Sequence, residues 1–406
     1  MVSPFYSISE RVGDPMYDFI IVGARCAGAA LACFLGHSGY KVLLIDKYES
    51  PGPTLSTHII GEIDVYDLLG IREKMETAGA PQMKRMRVDL EGSVMESDMI
   101  TTPRAISLRR ELFDAILLEK VYDFSSVTVL LTTRATDLLV QHNQVCGVAC
   151  QQTDGSSLTF YARAVIGADG RDSLVARAVR AEMMQTTDEN HLDVVYAYLA
   201  NVDPLPLPTV EWYWHGQDVT ICNPIDQGLH CIALMMPSEV LSGWKDSLIQ
   251  RYLERISRLQ TLRPRLRRAE IAGRIRGVRK LVSYVRKPYG SGWALVGDAG
   301  AHLHPIAGVG IDNAVCSAQY LAEELDHYMT GKKTWQQAME AYQHRRDERI
   351  VPQYEATLRT LARTRQHLSC ESLQSLQMLC TFPSLVKALA IHSDEVLSHL
   401  QEVRDE

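Results

Sequence analysis

The sequence lacks the features that would indicate a metal site, a secreted protein or a membrane protein. Its nine cysteines are scattered, with no CxxC pair and no Cys/His group at the spacing of a zinc site. The first 16 residues contain no basic segment followed by an apolar one, so no secretory leader is predicted. No apolar stretch is long enough to span a bilayer. These absences predict a protein of the reducing cytoplasm, without a metal centre or a membrane span.

Strong charge of one sign is also absent. The formal net charge is −7 on 406 residues, which argues against a nucleic-acid partner. The hydrophobic content of 46% is enough for more than one compact unit. One basic stretch, residues 263–287, carries ten arginines and lysines against a single glutamate. It is interpreted first as a solvated face, and otherwise as a surface that steers a nucleotide phosphate or an acidic carrier protein.

A βαβ pattern near the N-terminus is the first positive signal. An apolar strand at 18–23 leads through a glycine turn to a helix at 26–37 and a second strand at 41–46. The turn, GARCAG at 23–28, has glycine at the first and sixth positions of the dinucleotide fingerprint and arginine at the third. Asp46 ends the second strand, where an acid binds a ribose hydroxyl. The pattern predicts a nucleotide at the helix N-terminus, with a βαβ unit that binds none as the alternative.

Two further glycine–aspartate motifs follow later in the chain. VIGADGR at 165–171 and ALVGDAG at 294–300 each begin with an apolar strand. The second motif is followed by Pro305, Gly308 and Gly310, and then by a long helical pattern. Taken singly, each motif predicts only a strand–helix turn that its aspartate closes.

Together the three motifs resemble a flavoprotein superfamily that includes aromatic hydroxylases, geranylgeranyl reductases and flavin-dependent halogenases. The match runs from about residue 17 to residue 325, and the spacing of Pro305 and Gly310 resembles the reductase and halogenase branch. LSTH at 55–58 is similar to less characterised FAD-dependent oxidoreductases of specialised metabolism. The resemblance implies an α/β fold with a Rossmann-type FAD-binding domain, an antiparallel β-sheet cap over the substrate and a C-terminal helical region.

The domain limits follow from where the strand and helix patterns change. The expected FAD-binding domain is discontinuous and comprises residues 17–85, 100–182 and 271–345. The expected cap comprises residues 86–99 and 183–270, and the C-terminal helical region residues 346–406.

The resemblance also implies how FAD is held. Asp298 would bind the ribityl chain, and the turn at Gly308 would present backbone N–H groups to the pyrimidine edge of the flavin. Asp169 would lie beside the pyrophosphate and the access route of the nicotinamide. Arg110, in Arg-x-x-Phe-Asp spacing, would contact FAD phosphate or ribityl groups, with Arg109 as the second choice. The full set of predicted FAD contacts is Gly23, Ala24, Arg25, Ala27, Gly28, Asp46, Lys47, Arg110, Asp169, Gly170, Gly297, Asp298, Pro305, Gly308, Val309 and Gly310.

His58 is the predicted catalytic residue. Its segment, by the resemblance, passes near the flavin ring, and a histidine with a pKa near neutral can move a proton to flavin or substrate. A histidine that only hydrogen-bonds within its loop is the alternative. His302 and His304 form a His-x-His pair without further metal ligands, so a packing or flavin-proximal role is favoured, mostly for His302.

Two tryptophans mark the predicted cap. Trp212 and Trp214 alternate along a strand and share one face, where they either line an aromatic pocket or pack in the core. The halogenase signature, Trp-x-Trp-x-Ile-Pro with a partner lysine, is not matched, because Trp214 is followed by His215 and Gly216. Halogenation is therefore disfavoured.

The predicted function is an NAD(P)H-dependent FAD monooxygenase of a small organic substrate, free or tethered to a carrier protein. The cofactor carries the difficult chemistry in such enzymes, so no separate catalytic motif is expected. A dehydrogenase or reductase of C–C double bonds is one alternative, and a flavin-bound protein that catalyses a non-redox cyclisation or only binds a partner is another. Oxygen uptake coupled to NAD(P)H oxidation separates the first two, and turnover without redox change marks the third.

Overall fold

The computed structural model describes most of the chain between Tyr17 and Thr364. The described residues are 17–61, 64–99, 102–187, 192–244 and 247–364. The N-terminal segment 1–16 and residues 365–406 of the expected C-terminal region lie outside them.

The described residues form 20 strands and nine α-helices. The strands are β1 (Tyr17–Val22), β2 (Val42–Ile45), β3 (Ile59–Ile60), β4 (Arg85–Leu90), β5 (Ser93–Asp98), β6 (Ile106–Ser107), β7 (Val127–Leu130), β8 (Thr133–Gln141), β9 (Gln144–Gln152), β10 (Ser157–Gly167), β11 (Met183–Thr186), β12 (Leu192–Ala200), β13 (Thr209–His215), β14 (Asp218–Pro224), β15 (His230–Pro237), β16 (Glu270–Val278), β17 (Tyr284–Arg286), β18 (Tyr289–Gly290), β19 (Trp293–Leu295) and β20 (Ala301–His302). The helices are α1 (Cys26–His37), α2 (Val65–Leu68), α3 (Arg72–Thr77), α4 (Arg110–Val121), α5 (Leu174–Ala178), α6 (Ser238–Ser242), α7 (Leu248–Ile256), α8 (Gly310–Met329) and α9 (Trp335–Arg363).

The first domain is built on a parallel sheet in the order β19-β10-β1-β2-β7. Both faces of this sheet are covered, so β1 and β2 are continuous apolar runs with no polar face. Phe19 and Ile21 of β1 pack towards the layer that contains α1, α4 and α8. Ile20 and Val22 pack towards the antiparallel β8–β9 pair on the other side. The α/β class predicted from the sequence is confirmed, and the carboxyl ends of β1, β2 and β10 meet at one edge.

The second domain is a seven-stranded sheet in the order β16-β12-β15-β14-β13-β4-β5. Neighbouring strands are antiparallel except β13 and β4, which run parallel. One face forms an apolar cluster with Ile306 and Leu361 from the first domain, and is called the inner face below. The other face is covered by α6 and α7. The sheet therefore lies over the first domain as a cap.

Two expected boundaries need correction. β16 pairs with β12 from Val194 to Ala200, so residues 271–278 belong to the cap sheet and not to the FAD-binding domain. β11 pairs with β17 outside the cap sheet, so residues 183–186 leave the expected cap. Backbone pairing between strands distant in sequence decides both cases, and local composition does not show it.

The expected break between residues 345 and 346 falls inside a helix. α9 runs through it without interruption, and Arg346 is buried, donating from Nη1 to the Arg286 carbonyl at 2.9 Å. The C-terminal helical region is thus anchored in the first domain at its start. None of the described helices combines the length and apolar character needed to cross a bilayer.

Candidate functional site

The carboxyl ends of β1, β2 and β10 open onto a cavity of about 650 Å³. Most of the FAD contacts expected from the sequence line it. These are Gly23, Arg25, Ala27, Asp46, Lys47, Arg110, Asp169, Gly170, Asp298, Pro305, Gly308 and Gly310. The expected contacts that do not line it are Ala24, Gly28, Gly297 and Val309. Three motifs far apart in sequence therefore converge on one space.

The first glycine turn leaves no room for side chains. Gly23 has a φ of 107°, and a β-carbon there would lie 2.5 Å from the Ala168 carbonyl oxygen of the second motif. A β-carbon on Gly28 would lie 1.8 Å from the Gly23 carbonyl oxygen. Gly28 therefore acts by allowing this close packing, and only Gly23 borders the cavity.

Asp46 ties the turn to the second strand. Its Oδ2 accepts a hydrogen bond from the Ala24 N–H at 2.8 Å, and its Oδ1 accepts one from the Tyr48 N–H at 2.9 Å. An ionised carboxylate has about four acceptor sites, so Asp46 retains capacity for a ribose hydroxyl in the cavity. Ala24 serves the site through its backbone.

The start of α1 suits an anion. Arg25 is the N-cap residue of α1 and makes no side-chain cap, which leaves the first N–H groups of the helix available. The Arg25 side chain turns sideways, with Nη1 3.9 Å from the Asp114 carboxylate, and also borders the cavity. The arginine at the third fingerprint position therefore adds a positive charge beside the helix end, and both features fit a pyrophosphate.

Arg110 and Arg109 have different surroundings. Arg110 Nη2 donates to both oxygens of the buried Asp114, at 2.9 and 3.1 Å, and to Cys26 Sγ at 3.2 Å. These bonds hold its guanidinium rigidly beside the start of α1. Arg109 instead pairs with Asp226 of the cap, with Nη2 and Oδ2 2.6 Å apart, and does not line the cavity. Arg109 therefore joins the two domains.

The second motif places an unsatisfied acceptor at the cavity wall. Asp169 Oδ2 accepts a hydrogen bond from the Leu174 N–H at 2.6 Å, while the buried Oδ1 has no hydrogen-bond partner among the described residues. Burial raises the pKa of Asp169. Buried polar atoms are normally paired, so a ligand hydroxyl at Oδ1 would fit here.

The third motif packs its turn directly on α1. Gly297 has a φ of 61°, and a β-carbon there would lie 2.8 Å from the Ala27 β-carbon. Gly297 therefore sets the distance between the turn and the helix. The next residue, Asp298, lines the cavity, and its carboxylate makes no hydrogen bond within the described part of the chain. It is thus available to a ligand.

α8 begins at Gly310, directly after a second turn that ends at Gly308. Gly308 has a φ of 68°, and Val309 is the N-cap residue of α8 without a side-chain cap. Gly310, Ile311 and Ala314 of the first helical turn line the cavity. A second helix N-terminus therefore faces the same space as that of α1.

His58 does not have the properties expected of a general acid or base. It is 0% exposed, does not line the cavity, and has a φ of 64°. Burial, together with the nearby guanidinium groups of Arg110 and Arg109, lowers its pKa to about 3 rather than leaving it near neutral. The ring stays neutral at physiological pH, which fits the hydrogen-bonding alternative.

The contacts of His58 join the two domains. Nδ1 accepts from the Arg110 N–H at the start of α4, at 3.2 Å. The proton then sits on Nε2, which donates to the Tyr198 hydroxyl of cap strand β12 at 3.1 Å. Tyr198 in turn donates to Glu111 Oε2 at 3.5 Å. His58 thus caps α4 and connects it to the cap.

The other aromatic candidates separate into two groups. His302 lines the cavity, and its Nδ1–H donates to the Val282 carbonyl at 2.7 Å, while burial lowers its pKa. Trp212 and Trp214 pack on the inner face of the cap, whereas Tyr213 packs on the outer face. The alternation was predicted from the sequence, and neither tryptophan borders the cavity.

The sequence did not indicate three arginines at the cavity wall. Arg134, Arg171 and Arg177 come from β8, the second motif and α5, and none forms an ion pair with a described residue. Arg134 follows Thr133, whose N–H donates to the Asp46 carbonyl at 2.9 Å, so it lies near the end of β2. Arg171 lies within the second glycine–aspartate motif. No sequence pattern marks Arg134 as a cavity residue, because β8 is distant in sequence from Asp46. Across the described ranges, no three His, Cys, Asp or Glu side chains are grouped so that they could hold a metal ion.

The chain is similar in sequence and in fold to several known proteins. The family model described as an FAD binding domain matches residues 16–355. Digeranylgeranylglycerophospholipid reductase 1 of Methanococcoides burtonii is 23% identical over 311 residues, which cover 76% of this chain and 74% of the relative. The 1H-pyrrole-2-carbonyl-[peptidyl-carrier protein] brominase of Pseudoalteromonas luteoviolacea is 23% identical over 337 residues, covering 80% and 81%. The crystal structure of p-nitrophenol 4-monooxygenase PnpA from Pseudomonas putida superposes with a TM-score of 0.77 at 15% identity, covering 93% and 97%.

Proposed function

Because the chain belongs to the FAD binding domain family of oxidoreductases, we propose that it is a monooxygenase that uses NAD(P)H and oxygen to oxidise a small organic molecule. The observation that carries the proposal is the convergence of three motifs on one cavity of about 650 Å³ beneath an apolar cap. Bound FAD would accept the hydride and activate oxygen. The protein then has to bind the flavin, orient the substrate and exclude water.

Different residues of the cavity would bind different parts of the cofactor. The start of α1 with Arg25 would hold the pyrophosphate, and Asp46 the adenosine ribose. Asp298 would bind the ribityl chain, since its carboxylate has no hydrogen bond with a described residue. The N-terminus of α8 would face the pyrimidine edge of the flavin, where its N–H groups stabilise negative charge. Together these residues would hold FAD along the edge of the parallel sheet.

The substrate would lie between the flavin and the inner face of the cap. Leu55 and Ile59 border the cavity and also pack against the apolar inner face of the cap. Tyr196 and Tyr198 are the hydroxyl-bearing rings among the described residues of that face, and both hydroxyls already have partners. The surroundings therefore favour a mainly apolar molecule and exclude water from the reaction.

A carrier-tethered substrate is one form that the proposal includes. The brominase relative is named for a substrate on a peptidyl-carrier protein. In the basic stretch, Arg265, Arg268 and Arg279 pair with acids of this chain. Arg263 and Arg267 are exposed and have no ion-pair partner among the described residues, so they are available to an acidic partner.

A reductase of C–C double bonds is the second candidate. The inner face of the cap is largely aliphatic, with Val194, Val219, Ile221 and Met235 among its members. Leu55 and Ile59 bring the cavity next to this face, and the relative from Methanococcoides burtonii is named as a reductase of a geranylgeranyl lipid. Halogenation is less favoured, because Trp212 and Trp214 pack in the core of the cap and the halogenase signature is missing.

Flavin reduction with and without oxygen tests the proposal. The purified protein is mixed anaerobically with NADH or NADPH, alone and with aromatic or isoprenoid substrates, and bleaching of the flavin is followed. A monooxygenase should then consume oxygen in step with substrate and NAD(P)H when air is admitted. Saturation of a double bond without oxygen uptake would instead establish the reductase, and turnover without bleaching would contradict both.

A further inference from the structure

An acid occupies the first turn of the helix that would face the flavin. Asp312 is the third residue of α8, between Ile311, which lines the cavity, and Asn313. Its Oδ1 accepts a hydrogen bond from the Tyr66 hydroxyl at 2.6 Å, and its Oδ2 accepts one from the Gly61 N–H at 3.0 Å. The carboxylate is therefore fixed at the end of the helix.

The hydrogen-bond geometry of Asp312 fits a negatively charged carboxylate. Both oxygens act as acceptors, which is the pattern of an ionised carboxylate. The guanidinium groups of Arg349 and Arg72 act in the same direction, and so does the dipole of α8. Burial is the largest influence and raises the pKa of Asp312, while the two donors and the two cations oppose this rise.

The charge changes what the helix end presents to the cavity. A helix N-terminus is equivalent to about half a positive charge, whereas the carboxylate carries a full negative one. Gly310, Ile311 and Ala314 bring this end to the cavity wall. The carboxylate therefore outweighs the partial positive charge of the helix end itself, and the guanidinium groups of Arg349 and Arg72 offset part of its charge.

We propose that Asp312 lowers the reduction potential of the bound flavin and disfavours a negatively charged reduced ring. The inference rests on the proposed position of the flavin at the start of α8. Asp312 acts as a positioning and electrostatic residue and does not touch the substrate. Its effect is to make the reduced flavin a stronger electron donor than the same site with an uncharged residue.

The test compares Asp312→Asn with the wild type, both loaded with FAD. The substitution keeps the size of the side chain and removes the charge. The flavin potential is measured by equilibration with a reference dye, and the affinity for sulfite is titrated, because sulfite addition places negative charge on the pyrimidine side of the ring. Removal of a unit charge in surroundings with an effective dielectric constant of about 20 should tighten sulfite binding about tenfold and raise the potential.

Two further variants separate charge from packing. Asp326→Asn lies four turns along the same helix, where Asp326 accepts from Tyr40, and should leave both quantities unchanged. Tyr66→Phe removes one hydrogen bond but keeps the charge, so its shift should be much smaller than that of Asp312→Asn. Equal shifts in Tyr66→Phe and Asp312→Asn would overturn the proposal, because packing would then explain both.

A third variant keeps the proposal testable if Asp312→Asn does not retain flavin. Arg349→Gln removes a cation near Asp312 and should shift the potential downward and weaken sulfite binding. No shift in this variant, or none in a flavin-loaded Asp312→Asn, would overturn the inference while leaving the proposed function intact. A wild-type protein that binds no FAD would instead reject the proposed function itself.

Discussion

Replacement of His58 by alanine tests the assignment of this residue as a link between domains. The variant removes the acceptor for the Arg110 N–H and the donor to the Tyr198 hydroxyl. A buried donor left without a partner costs about 1–3 kcal/mol, and a lost hydrogen bond about 1 kcal/mol more. The free energy of unfolding should therefore fall by about 2–4 kcal/mol. The rate per bound flavin should change little, because the ring does not border the cavity.

The pH dependence gives an independent measurement. The pKa of His58 is lowered from 6.5 to about 3, so the unfolded chain binds a proton between these values that the folded chain does not. The contribution of His58 to stability is complete above about pH 6.5 and is lost as the pH falls towards 3. The stability of the wild type should therefore fall more steeply than that of His58→Ala between pH 6 and pH 4. The turnover profile should show no inflection from this histidine near neutral pH.

The measurements are urea unfolding, flavin occupancy and turnover per bound flavin, each across pH. His58→Asn is the matched control, because asparagine tolerates a φ near 64° and carries a hydrogen-bonding side chain. It should recover part of the stability lost in His58→Ala. An unchanged unfolding free energy together with a rate about a hundredfold lower would refute the reasoning and restore a catalytic role.

Three other expectations concern the cavity and the ion pair between Arg109 and Asp226 that joins the two domains. The purified protein should contain one non-covalent FAD per chain. Asp298→Ala should lose FAD more readily than Asp46→Asn, because asparagine at position 46 keeps an acceptor for the Ala24 N–H. Equal dissociation constants for FAD in the two variants would contradict this. Gly28→Ala should abolish flavin binding, measured as absorbance of the purified protein, because the new β-carbon would lie 1.8 Å from a carbonyl oxygen. Asp226→Asn removes the buried negative charge that pairs with Arg109 and should destabilise the protein by about 3–5 kcal/mol with little loss of flavin. Unchanged urea unfolding would count against a role of this ion pair in joining the domains.

The residues that line the cavity were easier to predict from the sequence than the pairing of the cap strands. The turn at Gly23, the acid at Asp46 and the aspartates of the later motifs depend on local chain geometry, so their patterns are visible in short segments. The ends of parallel strands then bring them together. The pairing of β16 with β12 and the position of Arg134 depend on long-range contacts, for which one sequence carries no signal.

His58 shows a further limit of such reasoning. The segment that contains His58 borders the cavity, since Thr57 and Ile59 line it. The left-handed backbone at residue 58 turns the side chain of His58 away from the cavity, between Arg110 and Tyr198. A residue type suited to proton transfer was visible in the sequence, whereas the local dihedral angle that turns the side chain away was not.

The path of the chain between the two sheets has a consequence for how the protein unfolds and diversifies. β4 and β5 reach the cap early in the sequence, and β12 to β16 reach it later, with β6 to β11 of the first domain between them. The chain therefore crosses between the domains four times, and neither domain is a continuous segment that could be excised or exchanged. A single melting transition is expected, and new substrate preferences would arise by substitution on the inner face rather than by swapping a whole cap between proteins.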